Sequence, residues 1–242
     1  MALDQRWRER DRVDMTGPKK RLAILHTVAG LVATFQQLCA ELMPNAEVYH
    51  IVDESLLKDT IRDGAPSSVT YRRLADYLRG AEEAGADAVL VTCSSMGPCV
   101  EAARPLIGIP VVRVDEAMAE KAVQTGQRIG VAATLATTLK PTTELIERKA
   151  AQAAGKHTIT SVVCEGAFEA VVRGDTSTHD RIVSQCLREL DASTDVIVLA
   201  QASMARVLET MKPGEIHVPV LSSPRLGVQY MAEILDQPLK KI

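Results

Sequence analysis

The stretch 93-CSSMG-97 places a thiol directly after the apolar run 87-DAVLVT-92 and before small residues. A cysteine where a strand end turns into a helix meets free backbone N–H groups and the positive end of the helix dipole, both of which favour a thiolate. Ser94, Ser95 and Gly97 add hydroxyl donors and small size, so that an anionic oxygen can approach the backbone there. The chemistry on offer is acid–base or nucleophilic, with Cys93 as the reacting group. Plain packing is the competing reading, because free cysteine is among the most often buried residues. A second stretch, 198-VLAQASM-204, repeats the shape with Gln201 in the thiol's place and Ala202 and Ser203 beside it.

Other polar residues fall at equivalent strand ends. Thr134, Thr137 and Thr138 cluster after 128-RIGVAA-133, where threonine hydroxyls either cap a helix or hold a substrate carboxylate. His26 and Thr27 occupy the matching end of 21-RLAILHT-27, and His26 is either a proton donor near neutrality or a satisfied structural imidazole. The remaining histidines, His50, His157, His179 and His217, share no spacing with carboxylates that would make a metal site. Cys39, Cys99, Cys164 and Cys186 read as core residues, and five cysteines without a CxxC pair fit reduced thiols. Neither GxGxxG nor a Walker motif occurs, so no nucleotide cofactor is expected, and no metal.

The elements that must position these residues alternate in period. Short β-rich runs at 21–27, 47–52, 87–92 and 110–114 are separated by helical patterns, such as Leu31, Phe35, Leu38 and Leu42 before Pro44, and the stretches 69–85 and 115–126. Strands follow again at 128–133, 158–163, 195–200 and 216–221. Superposing the halves puts 21-RLAILHT-27 on 128-RIGVAAT-134 and 86-ADAVLVTCSSM-96 on 194-TDVIVLAQASM-204, with Pro110 and Pro219 matching to within one residue. The fold class expected is α/β, two pseudo-symmetric lobes, each a parallel four-stranded doubly wound sheet with helices on both faces. The domain organisation expected is an N-terminal arm over 1–20, a first lobe over 21–116 completed by a returning C-terminal helix in 223–242, and a second lobe over 117–222. Matching strand ends then meet across a cleft, where open α/β sheets bind ligands.

Composition narrows the partners. A net charge of -3 with scattered Lys and Arg, and 3% aromatics, leave neither a basic footprint nor stacking platforms, so no nucleic acid is expected. No apolar run approaches the roughly 18 residues that span a bilayer, and the charged start MALDQRWRER is unlike a signal peptide, so a cytoplasmic protein with no membrane partner is expected. A small carboxylic-acid substrate and a homo-oligomer complete these expectations.

The sequence resembles the aspartate/glutamate racemase superfamily, which includes hydantoin racemases, maleate isomerases and arylmalonate decarboxylases. The likeness extends from Arg21 over nearly the whole chain and is carried by 86-ADAVLVTCSS-95, 129-IGVAATLATT-138 and 194-TDVIVLAQASM-204. It implies two α/β lobes with the active site between them and chemistry without metal or organic cofactor. It also implies, for the racemases, two cysteines, one per lobe, working on opposite faces of a carbon. Cys93 matches the first, while Gln201 stands where the second belongs. A carboxamide cannot exchange a proton near neutral pH, so symmetric two-base racemisation is in doubt. Chemistry with one thiol remains: isomerisation next to a carboxylate, or decarboxylation of a malonate-type acid. A catalytically silent acid-binding protein and a one-base racemase using His26 or water are further alternatives.

Overall fold

The computed structural model describes residues 19–212 and 214–237. Most of the N-terminal arm expected over 1–20 therefore lies outside the described residues. Strands and helices alternate as β1 (Arg21–His26), α1 (Val32–Leu42), β2 (Glu47–Val52), α2 (Glu54–Asp63), α3 (Ser68–Glu83), β3 (Ala88–Val91), α4 (Gly97–Ala103) and β4 (Val111–Arg113). The second series is α5 (Glu116–Thr125), β5 (Arg128–Ala133), α6 (Ala136–Gln152), β6 (Thr158–Val163), α7 (Ala167–Val172), α8 (Thr176–Asp191), β7 (Val196–Leu199), α9 (Arg206–Thr210), β8 (Val220–Ser222) and α10 (Ser223–Asp236).

Two four-stranded sheets result, ordered β2-β1-β3-β4 and β6-β5-β7-β8, with every pairing parallel. The central strands β3 (AVLV) and β7 (VIVL) are buried throughout, as continuous apolar runs must be when helices cover both faces. Each sheet is flanked by two apolar layers, one on each face. The helices contribute stripes at i, i+4 spacing: Phe35 and Cys39 from α1, Thr70, Leu74 and Leu78 from α3, His179, Val183 and Leu187 from α8.

The halves match down to single hydrogen bonds. Asp87 accepts the Arg21 N–H at 2.7 Å, and Asp195 accepts the Arg128 N–H at 2.8 Å. The N–H of Val89 bonds the Pro110 carbonyl and that of Ile197 the Pro219 carbonyl, both at 2.9 Å. Even the turns after the candidate residues agree, with Met96 N–H on the Cys93 carbonyl at 3.0 Å and Met204 N–H on the Gln201 carbonyl at 3.1 Å. Helix α10 packs Val228, Met231 and Leu235 into the layer that holds Leu22, Phe35 and Leu90, whereas Met118, Ala119 and Ala122 of α5 join Ile129 and Val131.

Two elements differ from the sequence reading. The strand expected over 216–221 is confined to Val220–Ser222, because the Asp191 carboxylate takes the N–H groups of His217 and Val218 at 2.8 and 3.0 Å before they can join the ladder. Helix α2 was not anticipated, although 53-DESLLKDTIRDG-64 carries its stop and start signals. Asp53 caps it through the Ser55 N–H, and Gly64 ends it with a φ of 75°.

Candidate active site

Cys93 leaves β3 in an extended conformation, and the chain then tightens into a short 3-10 turn, Ser94–Met96, before α4. Gln201 occupies the same position after β7, followed by the 3-10 turn Ala202–Ala205. Both side chains line one cavity of about 390 Å³ between the lobes, a volume within the range of small-molecule sites. Its floor is made of strand-end and turn residues, Thr27, Thr92, Cys93, Ser94, Ser95, Gln201, Ala202 and Ser203, joined by Thr138 of α6 and Ser223 at the start of α10.

Cys93 is half-buried, and desolvation of its thiol pushes the pKa above the ordinary value. Neighbouring donors, the Thr27 and Ser95 hydroxyls and the N–H groups of Met96 and Ser95, favour the thiolate and oppose that shift without overcoming it. At neutral pH the group is therefore a thiol, placed among groups that stabilise the thiolate it becomes on giving up its proton. The buried Thr27 hydroxyl makes no hydrogen bond of normal geometry. The Ser95 hydroxyl also meets the Thr138 hydroxyl at 2.9 Å, a bond that crosses from one lobe to the other.

Gln201 is held in one orientation. Its Oε1 accepts the backbone N–H of Thr134 and, at 3.0 Å, the Thr134 hydroxyl. A backbone N–H can only donate, so the oxygen must face Thr134 and the carboxamide NH2 must turn the other way. That NH2 makes no hydrogen bond among the described residues and is presented to the cavity. The position equivalent to Cys93 thus carries a fixed pair of N–H donors instead of an ionisable group.

The other residues singled out in the sequence separate into those on the cavity and those behind it. Thr27, Ser94, Ser95, Ala202 and Ser203 line it; His26, Thr134 and Thr137 do not. Thr134 stands behind Gln201 and aims that side chain, and the buried Thr137 hydroxyl has no partner. His26 is fully buried under the floor, with Nδ1 on the Thr92 hydroxyl at 3.0 Å and Nε2 on Nδ1 of His50 at 2.9 Å. Burial, then the neighbouring His50, lowers its pKa to about 4, so it is a neutral structural imidazole at ordinary pH. Gly97 does not open the backbone to a ligand. A Cβ there would stand 2.4 Å from the Arg113 guanidinium carbon, so the absent side chain makes room for Arg113.

Several lining residues escaped the sequence reading. Leu57, Lys58 and Ile61 come from α2, and Phe168, Val171 and Val172 from α7, with Val28, Leu31 and Leu135 completing an apolar upper wall. Their signal was the Asp53 cap and the apolar spacing of Leu57 and Ile61, which marks a helix without saying where it packs.

The fold is shared with solved enzymes. The glutamate racemase isoform RacE1 from Bacillus anthracis is 19% identical, with a TM-score of 0.71 over 89% of this chain and 81% of that one. Allantoin racemase from Klebsiella pneumoniae is 20% identical, with a TM-score of 0.64 over 89% and 86% of the two chains. Arylmalonate decarboxylase is 18% identical, with a TM-score of 0.54 over 91% and 94%. Comparison with curated protein sequences gives no match. The Asp/Glu/hydantoin racemase family model matches residues 25–231, which takes in both lobes and both strand-end turns, and the chain belongs to that family.

Proposed function

We propose that the chain is a cofactor-independent enzyme that delivers a proton to the carbon next to the carboxylate of a small organic acid, on one face only. Cys93 is the proton donor, and Gln201 is a hydrogen-bond donor to the carboxylate or to the enolate oxygen that forms as the carbon accepts charge. The observation that carries this reading is that one thiol and one non-ionisable, oriented carboxamide line the same cavity from equivalent strand ends of the two lobes. Two-base racemisation needs a titratable group on each face, and a carboxamide has none in the working pH range. Fixed donors aimed at a developing oxyanion lower the barrier without reorganising during the reaction.

Two reactions need only this machinery. In double-bond isomerisation of an unsaturated acid, the thiolate form of Cys93 takes the γ-proton to give the dienolate, and the thiol so formed returns that proton to the carbon next to the carboxylate on the same face. In decarboxylation of a malonate-type acid, the C–C electron pair left by departing CO2 becomes the enediolate, the thiol proton goes to its carbon, and the thiolate is reprotonated from water. The raised pKa of Cys93 supports the second reading in particular, since the cycle then starts from the protonated form.

Turnover of candidate acids in heavy water tests the proposal. Deuterium is expected on a single face of the product carbon, read by NMR with a chiral solvating agent. Equal exchange on both faces would overturn the one-face reading, and binding without turnover across mono- and malonate-type acids would mark a silent acid-binding protein.

A further inference from the structure

The cavity has two unlike ends, and their chemistry specifies the substrate. Hydroxyls and N–H donors gather on the floor, while the wall formed by α2, α7 and the segment after β1 is built from Val28, Leu31, Leu57, Ile61, Phe168 and Val171. Among the described residues Lys58 is the sole cation on the cavity and Glu54 the sole carboxylate. They are paired with each other at 3.2 Å, on a Lys58 side chain that is 72% exposed. Glu54 also accepts the Ala29 N–H at 3.3 Å, which anchors the pair at the rim. The rim is apolar elsewhere: Val28 and Val172 are among the large hydrophobic side chains that the molecule leaves exposed, Val172 at 68%.

A dicarboxylic amino acid would bring an α-ammonium and a distal carboxylate into this space. Neither would find a free counter-charge, and a carboxylate pressed against Leu57, Ile61 and Phe168 would lose its water with nothing in return. An acid whose charge sits wholly at one end, with a ring or branched chain at the other, matches both ends at once. The charged end meets the Gln201 NH2, the Ser94 and Ser203 hydroxyls and the unpartnered Thr27 hydroxyl, and the apolar end removes the upper wall from water. We infer that the substrate is an α-substituted acid with a single charged end and a bulky apolar substituent seated between α2 and α7, rather than an aspartate- or glutamate-like dicarboxylate. This inference rests on the proposed acid site at Cys93.

Protection of Cys93 from iodoacetamide tests it, because the other four cysteines are buried. Labelling is followed by mass spectrometry of the Cys93 peptide at alkaline pH, with acetate, butyrate, phenylacetate, aspartate or glutamate present at equal millimolar concentration. The expected order is phenylacetate above butyrate above acetate, with phenylacetate slowing labelling at least tenfold more than aspartate or glutamate. Val172→Glu, at an exposed position on the apolar wall, is expected to weaken phenylacetate protection severalfold and more than it weakens acetate protection. Protection by aspartate or glutamate equal to that by phenylacetate would overturn the substrate class while leaving the acid site standing. No protection by any acid would overturn the acid site and the inference with it.

Discussion

A single position separates this site from a symmetric one. Cys93 and Gln201 hold equivalent places after β3 and β7, and that equivalence was legible from the repeated strand followed by small residues and methionine. What the carboxamide does was not legible, because its orientation depends on Thr134, 67 residues away in sequence. Gln201→Ala is expected to lower kcat by about 10²–10³, the usual cost of one oxyanion donor, with a smaller change in KM. Gln201→Cys is expected to introduce slow deuterium exchange on the second face, reduced about a hundredfold by any ~1 Å misplacement. Cys93→Ser is expected to abolish turnover, since a hydroxyl without a partner base is too weak an acid or nucleophile. The pH dependence follows from the raised thiol pKa: thiolate reactivity towards iodoacetamide should climb with a midpoint above that of a free cysteine. Thr27→Val removes a donor that favours the thiolate and should move the midpoint further up. A midpoint that shifts down would contradict the assigned contact.

Elements bring in groups that no local pattern connects. His26 on β1, His50 on β2 and Gln36 on α1 form a hydrogen-bonded row beneath the cavity floor, with His50 Nε2 on Gln36 Oε1 at 2.8 Å. If the Gln36 oxygen accepts from His50, then His50 accepts from His26 and His26 from the Thr92 hydroxyl, which leaves both rings neutral and takes the Thr92 proton from its other acceptor, the Leu25 carbonyl at 3.2 Å. The pKa of His26 is lowered from 6.5 to about 4, and that of His50 is lowered as well by burial. The unfolded chain therefore binds more protons than the folded one as pH falls below 6.5, and stability is lost progressively towards pH 4. For His26 the loss amounts to about 3 kcal/mol. Urea unfolding of wild type between pH 7 and pH 4 should show this decline, and His26→Gln, which does not titrate, should flatten it by a comparable amount. Identical slopes for the two proteins would remove His26 as the cause.

Across the whole molecule, the lobes are joined by a buried ionic cluster next to the site. Arg113 at the end of β4 bonds Asp115 through Nε at 3.0 Å and Nη2 at 2.9 Å, pairs with Glu101, and donates across the lobe boundary to the Pro141 carbonyl of α6 at 3.1 Å. Arg113 and Asp115 have side-chain exposures of only 2% and 0%. Arg113→Leu leaves Asp115 buried without its partner and should cost about 3–5 kcal/mol in denaturant unfolding. Because the guanidinium rests on Gly97, the variant should also loosen the turn that carries Cys93, seen as faster iodoacetamide labelling at fixed pH. Gly97→Ala should destabilise for the converse reason, by forcing a Cβ into that guanidinium. An Arg113→Leu protein with unchanged stability would show that the cluster holds nothing together.

The sequence by itself determined the α/β architecture, the duplication and the strand-end positions of Cys93 and Gln201. Those follow from alternating hydrophobic periods, and a parallel strand must be apolar along its length while its end opens into a turn. Only the tertiary structure decided which neighbours those side chains have. His26 and Thr27 are adjacent in sequence, yet one lies sealed beneath the floor and the other lines the cavity, because successive strand-end residues point to opposite sides. The apolar wall was likewise invisible: α2 and α7 belong to different lobes, and Leu57 meets the same cavity as Phe168 only once the two sheets have come together.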